Sequence, residues 1–265
     1  MVEIALTPTD EKIILAVHRY HYLTREQIAN LLGINPTHTN VVLRKLIEHE
    51  YLARCERPAV SFKYLYLVDK QGIKYLKRVH EIEARLESRN LTYLFQVPHL
   101  LQVNEAMICI EQFSHSSSAI TLVDLLHDYT LREDKLSSHA DTWAHLQLGN
   151  RELRLWIECD RATEKDEKKF KEKIERMLTC ISREWNRGRP TYILFMIFED
   201  AKRLNIVYKW IEETLYTLNI KGQTFRLAYL TEGALSYNEV FFEPIWYQPF
   251  EKGQKPLLVF PTSAT

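Results

Sequence analysis

The strongest constraint on the fold lies between residues 139 and 177, HADTWAHLQLGNRELRLWIECDRATEKDEKKFKEKIERM. Two strand-like runs, Thr142–Leu148 and Leu153–Glu158, are joined at Gly149-Asn150, a pair that tolerates left-handed backbone angles and so favours a turn. Asp141 opens the first run, Glu158 and Asp160 close the second, and a charged helix follows at once. Carboxylates this close at strand ends can share a divalent cation such as Mg²⁺, whose hard charge prefers oxygen ligands. The alternative is three solvated acids at strand ends.

The rest of the chain limits what such a hairpin can belong to. Its 265 residues suffice for one or two domains with a sizeable core. A formal net charge of zero excludes one dominating basic field but permits a local basic patch. Cys55, Cys109, Cys159 and Cys180 are widely spread with no CxxC, so neither a disulfide framework nor a zinc pattern is expected. The N-terminus lacks the basic-then-apolar order of a secretory leader. No run approaches the roughly 18 apolar residues of a membrane span. The expectation is a cytoplasmic protein with no membrane partner. With only seven glycines, and no GxSxG or HExxH, the chain offers no phosphate loop and no hydrolase or zincin signature.

Residues 1–78 read as a first domain. Thr7-Pro8-Thr9-Asp10 and Thr24-Arg25-Glu26-Gln27 are capping boxes that open two helices, and Gly33 closes the second. A third helix starts at Asn35-Pro36 and runs to about His49, at helix-turn-helix spacing from the second. Strand-like runs Tyr51–Glu56 and Phe62–Val68 then form a hairpin. This order resembles the winged helix-turn-helix superfamily, although Glu50 stands where many such domains have Gly. The resemblance implies a third helix that enters the major groove of double-stranded DNA by its N-terminal end. Thr37, His38 and Asn40 are then placed for base edges or phosphates, with Arg44 and Lys45 nearer the backbone. Asn40 suits adenine, which an Asn can read in bidentate fashion. On the wing, Arg54, Arg57 and Lys63 suit phosphates. Residues 10–78 carry 12 Lys/Arg and 7 Asp/Glu, a net of +5. A winged helix used for protein contacts is the competing reading.

Residues 79–98 are charged and poor in aromatics, as expected of a helical linker, and winged helix proteins often dimerise through such a segment. From 99 to 265 the patterning predicts helix, three strands, helix, strand, helix, strand, then an aromatic, Pro-rich tail of irregular structure. The first six elements, αβββαβ, match the core of the PD-(D/E)xK nuclease superfamily, whose metal-binding acids sit on the second and third strands, where Asp141, Glu158 and Asp160 fall. The fold expected is therefore two-domain α/β (α+β), a winged helix followed by a PD-(D/E)xK-like core.

A closer resemblance rests on HLLQVNEA at His99–Ala106, ADTW at Asp141 and IECDRATE at Ile157–Glu164, behind a winged helix. Together these resemble the replication-relaxation family of bacterial plasmids and other mobile elements, associated with plasmid DNA relaxation and control of replication or transfer. Ala140 replaces the Pro of that family's Pro-Asp pair. The PD-(D/E)xK pattern also wants a Lys two residues after Glu158, and Asp160 stands there. That Lys positions the attacking water and stabilises charge in the transition state. Its nearest substitutes are Lys168, Lys165 and Lys169 on the following helix, whose i,i+4 charges equally suit a solvated face. Three readings remain open. One is a homodimeric DNA-binding control protein, partnered by other mobile-element proteins, with a retired nuclease core. Another is a Mg²⁺-dependent endonuclease or nickase using Asp141, Glu158, Asp160 and Lys168. The third is a repressor of its own operon.

Overall fold

The computed structural model describes residues 4–55, 63–87, 89, 96–127, 140–162, 164–185, 191–231 and 233–258. The chain forms two compact units, Met1–Asn104 and Glu105–Thr265. Among the described residues no helix is long and apolar enough to cross a membrane.

The first unit is built as the capping boxes dictate. Helix α1 (Pro8–Tyr20) starts where Thr7 Oγ1 accepts from the Asp10 amide and the Asp10 carboxylate accepts from the Thr7 amide at 2.6 Å. Thr24 and Gln27 cap each other in the same way, at 3.1 Å in both directions, to open α2 (Arg25–Leu32). Gly33 ends α2 in the left-handed region, at φ 62°. Helix α3 (Pro36–Glu48) is capped by Asn35, with Pro36 in its first turn. Strands β1 (Leu23–Thr24), β2 (Leu52–Arg54) and β3 (Leu65–Val68) form an antiparallel sheet in the order β1-β3-β2. Helix, strand, helix, helix and a two-stranded hairpin is the arrangement of a winged helix. Ile13, Ile14, Val17, Tyr20, Ile28, Leu43, Leu46 and Leu67 are fully buried beneath it.

Two features of this unit depart from expectation. Helix α4 (Lys70–His80) ends before the expected helical linker, and residues 81–87 carry no regular structure. That segment is pinned by ion pairs instead: His21 to Glu87 at 2.8 Å, and Arg89 to Asp69 at 2.6 Å. The first part of α5 (Gln96–His115) also belongs here and not to the second domain. Val97 packs with Tyr22, Ala53, Cys55, Leu65 and Leu67. Gln27 donates to the Leu101 carbonyl at 2.9 Å, and Asn104 to the Tyr22 carbonyl.

The second unit holds a seven-stranded sheet. Its strands are β4 (Ile120–His127), β5 (Thr142–Leu148), β6 (Arg151–Asp160), β7 (Thr191–Ile197), β8 (Phe225–Tyr229), β9 (Trp246–Tyr247) and β10 (Gln254–Lys255), ordered β10-β9-β8-β7-β6-β5-β4. β4, β5 and β6 form an antiparallel meander; β6, β7 and β8 run parallel. Parallel strands need crossovers. These are α6 (Glu167–Trp185) and α7 (Ala201–Thr217). β7 is buried on both faces, as its unbroken apolar run requires. Phe170, Ile174, Met177 and Ile181 of α6 join Leu204, Val207 and Ile211 of α7 over Trp156, Ile193, Phe195 and Leu227. The tail is more regular than its composition suggests. It supplies α8 (Tyr237–Phe242), β9 and β10, with Trp246 fully buried and its indole N–H donating to the Val240 carbonyl at 2.7 Å.

Candidate functional site

In the first unit the inward stripe of α3 is Thr39, Val42, Leu43 and Leu46, all buried. The opposite stripe, Thr37, His38, Asn40, Val41 and Arg44, is exposed. Among the described residues the side chains of Asn40 and Arg44 join no hydrogen bond or ion pair. Arg54 lies with its guanidinium 4.9 Å from the centre of the Tyr64 ring, and Lys63 is exposed beside it. Arg57 lies outside the described residues.

Lys45 is the exception among the basic residues of α3. Its ammonium meets the Asp10 carboxylate at 2.5 Å, and Asp10 is 1% exposed. Burial alone pushes the Asp10 carboxyl up, but Lys45 and the Thr7 cap outweigh it and hold the carboxyl below the usual carboxylate range. Lys45 therefore ties α3 to the start of α1 and is not a free phosphate contact.

In the second unit the two acid positions are drawn together by register. Trp143 faces Trp156 across β5 and β6, and the Asp141 amide donates to the Ile157 carbonyl at 3.1 Å, so Asp141 flanks Glu158 at the sheet end. Asp141 Oδ2 accepts from the Cys159 amide at 2.8 Å. Glu158 is 2% exposed. One of its carboxylate oxygens accepts from the Trp156 indole at 2.8 Å, and the other accepts from the ammonium of Lys173. Burial pushes the Glu158 carboxyl up to about 7; Lys173 opposes that rise and Asp141 adds to it. For Lys173, burial works against the charged form, but Glu158 and Asp141 prevail and raise it.

Asp160 does not join this pair. Arg203, in the first turn of α7, grips it at both oxygens, Nε to Oδ1 at 2.8 Å and Nη2 to Oδ2 at 2.7 Å. Both side chains are nearly buried, at 6% and 10% exposure. Nη2 also donates to the Glu164 carbonyl at 2.8 Å, and the guanidinium lies 5.2 Å from the Trp210 ring centre. Asp160 is thus the anchor of α7. Among the described residues no group of three or more His, Cys, Asp or Glu is arranged to hold a metal ion.

The lysine that reaches the acids is Lys173 and not Lys168. The side chain of Lys168 is exposed, while its backbone amide, like that of Lys169, donates to the Asp166 carboxylate that caps α6. Lys165 is exposed as well. The sequence did carry a signal for Lys173. Phe170, Ile174 and Met177 define the inward stripe of α6, and position 173 lies three residues after Phe170 and four before Met177. A cation at an inward position needs a buried partner.

A model of the replication-relaxation family matches residues 15–187, from the first helix through α6. The chain belongs to the replication-relaxation family. No curated protein sequence matches it at a significant level. Among solved structures it is similar to Rv1404 of Mycobacterium tuberculosis, with 21% identity over 29% of this chain and 52% of that one and a TM-score of 0.27. The transcriptional regulator Tm0710 of Thermotoga maritima gives 21% identity, 28% and 53% coverage and a TM-score of 0.27. ZitR of Lactococcus lactis, a zinc-responsive MarR family member, gives 21% identity, 43% and 75% coverage and a TM-score of 0.27. The match thus spans about half the length of the first two proteins. These likenesses are slight, and the winged helix of this replication-relaxation protein rests on its own element order and strand pairing.

Proposed function

We propose that this replication-relaxation protein binds double-stranded DNA through its winged helix and acts in the control of replication, transfer or transcription of a plasmid or other mobile element. The observation that carries this reading is the outward stripe of α3, where Thr37, His38, Asn40 and Arg44 are all exposed. The N-terminal half of such a helix is the part that meets base edges. Arg54 and Lys63 on the hairpin fit phosphate contacts. A homodimer would set two such helices about 34 Å apart, one turn of duplex. A gel shift on plasmid fragments tests the reading. Affinity falls steeply with salt, with a slope near −0.9 for each phosphate neutralised. Asn40→Ala/Arg44→Ala abolishes the shift; a salt-insensitive shift, or one the double variant keeps, refutes it.

The elements from α5 to β7 follow in the order αβββαβ, which supports our reading of this region as a PD-(D/E)xK-like, nuclease-like scaffold that does not cleave. Mg²⁺ takes oxygen ligands in near-octahedral geometry. Here both oxygens of Glu158 are engaged by Trp156 and Lys173, and Asp160 is bound to Arg203. That donor set does not fit the ion. One observation favours a second reading, DNA strand hydrolysis: Lys173 stands beside Asp141 and Glu158, as the lysine of such sites must. Supercoiled plasmid incubated with Mg²⁺ or Mn²⁺ separates the two. Intact plasmid supports the scaffold; nicking that Asp141→Ala/Glu158→Ala loses makes the protein an enzyme.

A further inference from the structure

Val41 is the one residue on the outward stripe of α3 that has no polar group to offer. It is 62% exposed, more than any other large apolar side chain described in the first unit. Single exposed apolar residues are ordinary on protein surfaces; the position of this one is not. Val41 follows Asn40 directly, lies one turn after Thr37 and one turn before Arg44. Its neighbours Val42 and Leu43 turn inward and are buried. Thr39, which also carries a methyl group, is fully buried, with its hydroxyl donating to the Asn35 carbonyl at 3.0 Å. A β-branched residue is a modest helix former, and here no burial within the unit compensates.

In the major groove each base pair shows a distinct pattern, and the thymine C5-methyl is its apolar feature. Adenine shows an N6 donor and an N7 acceptor that match the two ends of an Asn side chain. Resting on the DNA-binding reading above, we infer that Asn40 and Val41 act as a pair that selects an A·T-containing step, Asn40 by adenine and Val41 by packing on a neighbouring thymine methyl. Arg44, one turn further along the same stripe, lies toward the backbone and supplies affinity. The preference resides in the N-terminal half of α3 and requires no change in the protein on binding.

The test uses the full-length protein and a binding site selected from a random duplex pool. Each thymine of the selected site is replaced in turn by deoxyuridine, which removes the methyl and nothing else. At one position per bound protomer the affinity drops about three- to fivefold, the worth of one buried methyl group. Val41→Ala, exposed and therefore neutral to folding, binds the thymine and deoxyuridine sites equally. Asn40→Ala loses the selected adenine while keeping the thymine effect. If no deoxyuridine substitution matters, or if Val41→Ala still distinguishes thymine from deoxyuridine, the pairing is wrong although the protein reads DNA. If no duplex is bound at any salt, the DNA-binding reading itself has failed.

Discussion

Arg203→Met offers the sharpest test of how the second unit is held together. The guanidinium gives Asp160 two hydrogen bonds, at 2.8 and 2.7 Å, and gives the Glu164 carbonyl a third. A basic residue in the first turn of a helix opposes the helix dipole, so nothing local recommends Arg203 at that place. Its pairing does. Removing one partner of a buried ion pair costs about 3–5 kcal/mol, because the other charge is left without compensation. At 6% and 10% exposure the pair belongs in that range, and about 4 kcal/mol is expected. Asp160→Asn keeps the size of the side chain and costs about 2 kcal/mol. The double variant costs little more than Arg203→Met alone, giving a coupling energy of about 2 kcal/mol. All five tryptophans lie beyond residue 104, so tryptophan fluorescence in a urea titration follows the second unit. Each variant is read as a shift in midpoint at constant slope. A coupling below about 0.5 kcal/mol would refute the anchoring role and return Asp160 to the acidic pair.

Three further outcomes follow from the same geometry. Lys173→Met costs about 2–3 kcal/mol near pH 8, less than a fully buried pair because the Lys173 side chain is 39% exposed. The Glu158 carboxyl is raised, so its contribution is full below the unfolded value near 4.5 and lost as pH rises through about 7. Removing Lys173 raises it further, so the melting deficit shrinks near pH 5; a deficit equal at both pH values counts against the pair. Gly72→Ala in α4 sets a Cβ 2.3 Å from the Tyr51 carbonyl oxygen and 2.6 Å from Val68 Cγ1. The overpacking, about 1–3 kcal/mol, exceeds the roughly 1 kcal/mol of helix propensity gained, and a circular-dichroism melt should show the first unit less stable. Glu50 has φ 57°, in the left-handed region. Glu50→Gly relieves about 1 kcal/mol of strain and raises the melting temperature of that unit; a lower one would show that its side chain matters more than its backbone.

The winged helix was legible because its signals are local. Capping boxes at Thr7 and Thr24, the Gly33 stop and the Asn35-Pro36 start each act within one turn of chain, and the structure uses all of them. The same holds for the strand-turn-strand around Gly149 and the buried run of β7. The tail misled because two-residue strands such as β9 and β10 have no periodicity of their own. They exist only because an edge of the sheet is there to pair with.

What the sequence determined by itself was the order of the main helices and strands within each unit as far as β8, and the identity of the acids at the ends of β5 and β6. Which basic residue answers each acid was decided only by tertiary structure. Lys45 was expected to meet DNA and instead closes on Asp10, 35 residues away. Lys173, not Lys168, reaches Glu158, and Arg203 takes Asp160 from a helix 43 residues on. A charge can be read from the chain, but its partner depends on which side chains share a desolvated space. An ion pair strengthens as water is excluded from around it. Only packing decides where that happens.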